Sequence, residues 1–296
     1  MEQQPIIGVF EGGGIKGVAL AGAAAATMDM GYRFERVVGT SAGALVGALV
    51  AAGYTPDELR RTVCSIDWPG LLDPSWLTRV PMIGKQLAVF FRLGLYRGDA
   101  LERTWADLLA AKGVRTFDDL PNRLRVVVTD ITHTAGLVFP DALDRLGLEE
   151  EAVPVARAVR MSASVPFAFE PVRLRNARTG DDFYVSDGAL AANFPDRIVD
   201  PSASIPVVGF RFRAADTHAH RPIRGPLSLA AAVMWSGVGA REGLPALQSK
   251  VVDVIEVPSR ISGLDFAITP AQAAELFEEG YLAVRDRLRE RPLRVG

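Results

Sequence analysis

A chain of 296 residues, 49% hydrophobic and 23% charged, has an ordinary globular composition and enough length to bury a large core. With 33 basic and 35 acidic residues its net charge is -2, so no global field draws it to nucleic acid or to anionic lipid. A single cysteine, Cys64, excludes an internal disulfide and suits a reducing compartment.

Met1–Pro5 has neither a basic region nor an apolar signal core, and the expected location is cytoplasmic. Ile6–Phe10 is a short β-prone run that ends in the glycine loop Gly12-Gly13-Gly14-Ile15-Lys16-Gly17. Val18–Met30 reads as an Ala-rich helix closed by Gly31, and Arg36–Val38 as a second strand. Ala42–Ala52 is apolar all round, which predicts a buried helix. The uncharged window Val37–Pro56 therefore reads as strand, turn and helix; its four glycines and its strand-like start argue against a membrane span. Thr55-Pro56-Asp57-Glu58 is a capping box that starts a helix through Ile66, where Cys64 is a small, packed residue.

Further strands are expected at Leu124–Thr129, Leu137–Phe139, Phe183–Ser186, Val207–Arg213 and Val252–Val257. Helices are expected at Ala100–Ala111, Val155–Ser162, Leu227–Arg241 and Pro270–Arg289, the last opened by a second capping box at Thr269. There is no internal repeat or linker. The early order of strand, loop, helix, strand, turn and helix predicts an α/β fold: one three-layer domain over residues 1–296, with a mainly parallel sheet flanked by helices.

Gly39-Thr40-Ser41-Ala42-Gly43 joins the second strand to the apolar helix with almost no loop. Such a turn holds Ser41 in a strained, exposed conformation and tolerates only small neighbours, hence Gly39 and Gly43. Ser41 then stands at a helix N-terminus, where unpaired N–H groups favour negative charge. The Gly12–Gly17 loop offers backbone N–H groups to an anion, which makes Gly12, Gly13 and Gly14 candidates for an oxyanion hole beside Ser41. Gly12-x-Gly14-x-x-Gly17 also fits the dinucleotide fingerprint, but the second strand ends in Gly39-Thr40-Ser41 without the acidic residue that would hold a ribose. A purely structural turn is the third reading.

A serine nucleophile needs a proton acceptor. The histidines are His133, His218 and His220; the last two fall in the polar stretch Ala214–Gly225, which reads as an exposed loop, and no third ligand accompanies them to make a metal site. Asp187, in Asp187-Gly188-Ala189 at the end of the Phe183–Ser186 strand, is the better candidate, because Gly188 lets its backbone approach the serine closely. A carboxylate has a reference pKa of about 3.9, so as a base it must lie within hydrogen-bond reach and be partly desolvated.

Taken together, the Gly12–Gly17 loop, the Gly39–Gly43 elbow, the small-residue run Ser162-Ala163-Ser164-Val165-Pro166 and Asp187-Gly188-Ala189 resemble, in this order, the patatin-like phospholipase family over nearly the whole chain. The resemblance implies a Ser–Asp dyad, with Ser41 as nucleophile and Asp187 as base, that cleaves fatty-acyl esters of lipids without catalytic histidine, metal or organic cofactor. Lys16, Gly17, Gly39, Gly43 and Gly188 would support the motifs. Glu11, Lys16 and Ala189 depart from the commonest family form.

Residues 67–97 interleave Trp68, Leu71, Trp76, Phe90 and Phe91 with Arg79, Lys85, Arg92 and Arg97. They read either as a cap packed on the core or as a lid in transient contact with a membrane surface. The expected partner is a lipid or ester substrate, and no nucleic-acid module is present. Two rivals remain open: an α/β-hydrolase with a Ser-His-Asp triad, and a non-catalytic lipid or anion binder.

Overall fold

In the computed structural model, which describes residues 3–79, 83–199, 204–213, 253–263 and 265–293 and the isolated positions Ala232 and Ser236, the first apolar run forms β1 (Gln4–Phe10) and sorts its side chains to two faces. Ile6 and Phe10 enter the large core shared with the helical layer, while Ile7 and Val9 join a smaller cluster with Val38, Val127, Val199 and Val207. Helices therefore have to cover both faces, and they do.

α1 (Gly17–Asp29) leads into β2 (Tyr32–Thr40), parallel to β1, and α2 (Ala42–Ala51) begins one residue later. α3 (Pro56–Ser65), α4 (Gly84–Arg92), β3 (Gly94–Tyr96) and α5 (Asp99–Ala110) precede β4 (Leu124–Asp130), parallel to β2. Then come β5 (Ala135–Phe139), α6 (Ala142–Leu146), α7 (Val155–Ser162), β6 (Phe167–Phe169), β7 (Val172–Arg175), β8 (Asp182–Asp187) and α8 (Ala189–Ala192). β9 (Val207–Phe212), β10 (Asp253–Val257) and α9 (Pro270–Glu290) complete the described elements. The main sheet runs β10-β9-β1-β2-β4-β8-β7, with β5 also on β4; its first five strands are parallel and the others antiparallel to their neighbours. β3 and β6 form a separate parallel pair. This is the expected three-layer α/β fold with a mainly parallel sheet.

β4 has only two edges. β5 occupies one of them along Val126–Asp130, so β2 and β8 share the other. β2 pairs there with Leu124–Val127 and β8 with Val128–Asp130, running in opposite directions. The two strands thus meet end to end, with Thr40 opposite Val127 and Asp187 opposite Val128. The register itself delivers the end of the serine strand to the end of the aspartate strand.

α1 and α9 pack through glycine on both sides. A Cβ on Gly22 would lie 2.0 Å from the Phe277 carbonyl oxygen, and one on Gly280 would lie 2.0 Å from that of Ala19. Both helices approach backbone to backbone, and α1 is buried from Gly17 to Thr27.

The expected strands and helices that fall within the described residues are present, with shifted ends. β2 starts at Tyr32 instead of Arg36: Arg33 and Glu35, paired at 2.6 Å, broke the apolar run that marked it. Val172–Arg175 was not anticipated as a strand, although it alternates two apolar with two basic residues; α4, β3, β6, α6 and α8 were not anticipated either. The loop bearing His218 and His220 lies outside the described residues, as does the expected helix Leu227–Arg241 except for Ala232 and Ser236, which are both helical. Among the described residues no helix is long and apolar enough to cross a membrane.

Gly280→Val should separate α1 from α9. The expected result is a loss of about 2–3 kcal/mol or more, seen as a Tm lower by roughly 5–10 °C. An unchanged melting curve would contradict the close packing described.

Candidate active site

Ser41 forms the one-residue joint between β2 and α2, with φ 51° and ψ -119°. This conformation costs an L-residue about 1–3 kcal/mol and persists only where the surroundings enforce it. Here they are tight on both sides. A Cβ on Gly39 would lie 2.4 Å from the Gly43 carbonyl oxygen, and one on Gly43 would lie 2.3 Å from that of Phe10. The Ser41 N–H donates to Ser162 Oγ at 2.8 Å, and that hydroxyl donates onward to the Val127 carbonyl at 2.6 Å. The Ser41 carbonyl accepts from the N–H groups of Ala44 and Leu45.

The Ser41 hydroxyl donates to Asp187 Oδ2 at 2.8 Å. Asp187 is held by every polar group it has: Oδ1 accepts the Ala189 N–H at 2.8 Å, its N–H donates to the Ser164 carbonyl at 3.0 Å, and its carbonyl accepts the Thr129 hydroxyl at 2.8 Å. Gly188 lies so near β4 that a Cβ would fall 2.1 Å from the Val127 carbonyl oxygen. The end of α7 and the turn after it make the platform under both residues. Ser162 and Ser164 offer carbonyls to the N–H groups of Gly188 and Asp187, and buried Arg160 donates to Ser164 Oγ and to the Arg97 carbonyl.

Asp187 is 3% exposed. Desolvation pushes its pKa from 3.8 up to about 7, against the opposing hydrogen bonds from Ala189 N–H and Ser41 Oγ. No imidazole stands between the two side chains. His133 pairs with Asp130 at 2.7 Å in the β4–β5 turn.

The glycine loop closes over this pair. Gly12 donates its N–H to the Asn193 carbonyl at 2.9 Å, so that group is engaged within the protein, whereas the N–H groups of Gly13 and Gly14 meet no acceptor among the described residues. Gly14, at φ +59°, packs so closely on Gly263 that a Cβ would lie 2.0 Å from its carbonyl oxygen. Glu11 holds the loop from below, accepting from Asn193 Nδ2 and the Phe212 N–H and pairing with Arg211 at 3.5 Å. Lys16 Nζ sits 5.5 Å from the centre of the Phe212 ring. Gly17 opens α1 against Ala42, where a Cβ would lie 3.0 Å from the alanine's own.

Ser41 and Gly14 line an apolar cavity walled by Leu45, Trp68, Leu101, Trp105, Phe169 and Phe266. Its interior is about 20 Å³, room for about one water. Residues 67–97 divide between the two expectations: Trp68 and Leu71 are core, while Trp76, Phe90 and Phe91 face solvent. Asn193 and Thr129 belong to no motif and were not singled out. Ser162 was visible only as part of a small-residue run.

The patatin-like phospholipase family model matches residues 8–200. The chain is 38% identical to YqhO of Bacillus subtilis (strain 168) over 280 residues, covering 93% of this chain and 95% of that protein. It is 23% identical to R571 of Acanthamoeba polyphaga mimivirus over 293 residues, covering 94% and 92%. The fold resembles that of VipD from Legionella pneumophila, with a TM-score of 0.54 and 16% identity over 98% of this chain and 67% of VipD. It also resembles the structure of ExoU in complex with SpcU from Pseudomonas aeruginosa, with a TM-score of 0.50 and 19% identity over 99% of this chain and 53% of the matched one.

A carboxyl whose pKa is raised by the fold stabilises the folded state fully below its unfolded value, and that contribution is lost as pH rises through the folded value. Asp187→Asn removes this dependence. Relative to wild type the variant should gain little at pH 4 and up to about 4 kcal/mol by pH 8, read as a Tm difference that grows across this window. A difference independent of pH would place the Asp187 carboxylate in water. Ser162→Ala orphans the buried Ser41 N–H and should cost about 1–3 kcal/mol, read from denaturant unfolding.

Proposed function

The chain belongs to the patatin-like phospholipase family, and on that premise we propose that it hydrolyses fatty-acyl esters of lipids through a Ser41–Asp187 dyad. The observation that carries the reading is the direct 2.8 Å hydrogen bond from the Ser41 hydroxyl to a carboxylate that burial makes basic. A carboxylate near pKa 4 is a poor acceptor for an alcohol proton; one raised to about 7 combines a useful ionised fraction at neutral pH with greater basicity.

Ser41 Oγ attacks the ester carbonyl as Asp187 Oδ2 takes its proton. The oxyanion forms against the Gly13 and Gly14 N–H groups, near the N-terminus of α2, whose first N–H groups have no partner within the helix. Collapse of this intermediate expels the alcohol, which receives the proton from Asp187 and leaves an acyl-Ser41. Water then attacks the acyl group with Asp187 again as base, releasing the fatty acid and restoring the serine. Gly12 supports the loop through its bond to Asn193 and is not one of the oxyanion donors.

The apolar cavity beside Ser41 suits an acyl chain, and with an interior of about 20 Å³ its walls must move apart to admit one. A triad with histidine is the weaker reading, because the carboxylate already occupies the place an imidazole would take against Ser41. A non-catalytic binder has no use for a strained serine held against a buried carboxylate.

Fatty-acid release from phospholipid vesicles and hydrolysis of a short soluble ester test the proposal together. Ser41→Ala and Asp187→Asn should each lower kcat by about 10³-fold or more. For wild type, kcat/KM should rise with pH and level off above a midpoint near 7, since the base must be ionised. Turnover by Asp187→Asn at a rate close to wild type would remove the dyad.

A further inference from the structure

Between Pro74 and Gly98 the sequence has four basic residues, Arg79, Lys85, Arg92 and Arg97, and no acidic one; Arg92 pairs with Glu170 and Arg97 with the flanking Asp73 and Asp99, while Lys85 makes no ion pair among the described residues. The same stretch gathers exposed apolar side chains. Trp76, Ile83, Phe90, Phe91 and Leu93, with the neighbouring Phe167, make up six of the nine large apolar side chains exposed among the described residues. Trp76 is 70% and Phe90 77% exposed. Single exposed apolar residues are ordinary; a cluster of aromatics marks a surface with a partner.

α4 explains how they are displayed. Gly84 and Ala88 are buried, and Gly84 lies so close to the preceding turn that a Cβ would fall 2.5 Å from the Leu77 carbonyl oxygen. Ile83 and Phe90, seven residues apart, share the side of the helix opposite Ala88, and Phe91, one turn past Ala88 on the Gly84 stripe, is exposed near the helix end.

This surface continues to the wall of the Ser41 cavity. β3 follows α4 directly and pairs with β6, with Gly94 opposite Phe167 and Tyr96 opposite Phe169. Phe167, at the start of β6, is 37% exposed, whereas Phe169 is buried and lines the cavity. The Arg92–Glu170 ion pair, at 3.0 Å, ties the end of α4 to the residue after Phe169.

We propose that the exposed face of α4, with Trp76 and Phe167, docks on an anionic lipid bilayer and sets the mouth of the Ser41 cavity against the membrane. Aromatic side chains enter the boundary between headgroups and acyl chains while the neighbouring cations meet anionic headgroups, so one surface satisfies both features of the patch. A second copy fits less well: a two-fold interface would bring the same cations, Lys85 among them, face to face. The purpose of the docking rests on the lipid-hydrolase reading above; the docking itself does not.

Vesicle flotation with Ser41→Ala measures binding without consuming lipid. Phosphatidylcholine vesicles containing phosphatidylglycerol should bind about tenfold or more tightly than phosphatidylcholine alone. Adding Phe90→Ser and Phe91→Ser should weaken binding to both by about tenfold or more. Lys85→Gln should weaken only the anionic case. Trp76 gives an independent readout, as a blue shift of fluorescence on vesicles that is lost in Trp76→Phe. In an otherwise wild-type chain the two Phe substitutions should keep soluble-ester turnover within about twofold while lowering release from vesicles. Absence of turnover on every ester would overturn the hydrolase reading, and flotation would still decide the docking. Flotation unchanged by the two Phe substitutions would overturn the bilayer surface, as would a wild-type dimer that the same substitutions dissociate without changing flotation.

Discussion

Two strands share one edge of β4 and run towards each other, and the polar residues at their ends are forced into contact. Most of the site follows from that collision. Ser41 has to leave β2 within one residue, which imposes its positive φ and excludes side chains at Gly39 and Gly43. Asp187 ends β8 beneath the same helix terminus, so its carboxylate is removed from water and becomes more basic. A base of that strength in this place depends on pinning, and each polar atom of Asp187 has its own partner. The arrangement sets stability against the proposed function: the ionised carboxylate that would activate the serine is also the form that the fold disfavours.

The motifs were legible because they are local. Gly39–Gly43 and Gly12–Gly17 each sit at a strand end ahead of a helix, and the order of elements around them predicted a parallel sheet with helices on both faces. Capping boxes at Thr55 and Thr269 marked two helix starts that the structure reproduces. Asp187 was legible only by its place at a strand end beside Gly188. What linear reading lacked was register. Nothing in the sequence shows that β8 meets β2 along β4, that the Ser162 hydroxyl receives the Ser41 N–H, or that the Asn193 carbonyl occupies the Gly12 N–H. These are contacts between residues far apart in the chain, made by residue types common in every loop. Charged residues also hid structure, as Arg33 and Glu35 hid the first half of β2.

The cap segment shows the other limit of composition. Trp68, Trp76, Phe90 and Phe91 are equally apolar on paper, yet one walls the cavity and three face outward. Helical anchoring through Gly84 and Ala88 decides between the two, because small residues let one side of α4 lie flat and leave the opposite side, with Phe90, uncovered. The tie through Arg92 and Glu170 then joins that uncovered side to the residue after Phe169, so surface and cavity share a wall. Buried Arg160 makes a second connection, from the Arg97 carbonyl to Ser164 beneath Asp187. The segment over the cavity and the platform under the dyad are thus mechanically continuous.

The central claim is that Asp187 alone makes Ser41 nucleophilic. Reaction of the intact protein with a fluorophosphonate, followed by peptide mass mapping, tests it without any assumption about the natural substrate. The account predicts a single phosphonylated site at Ser41, formed at a rate that rises with pH through about 7 and collapses in Asp187→Asn. Labelling of a different serine, or of Ser41 at an undiminished rate in Asp187→Asn, would contradict it.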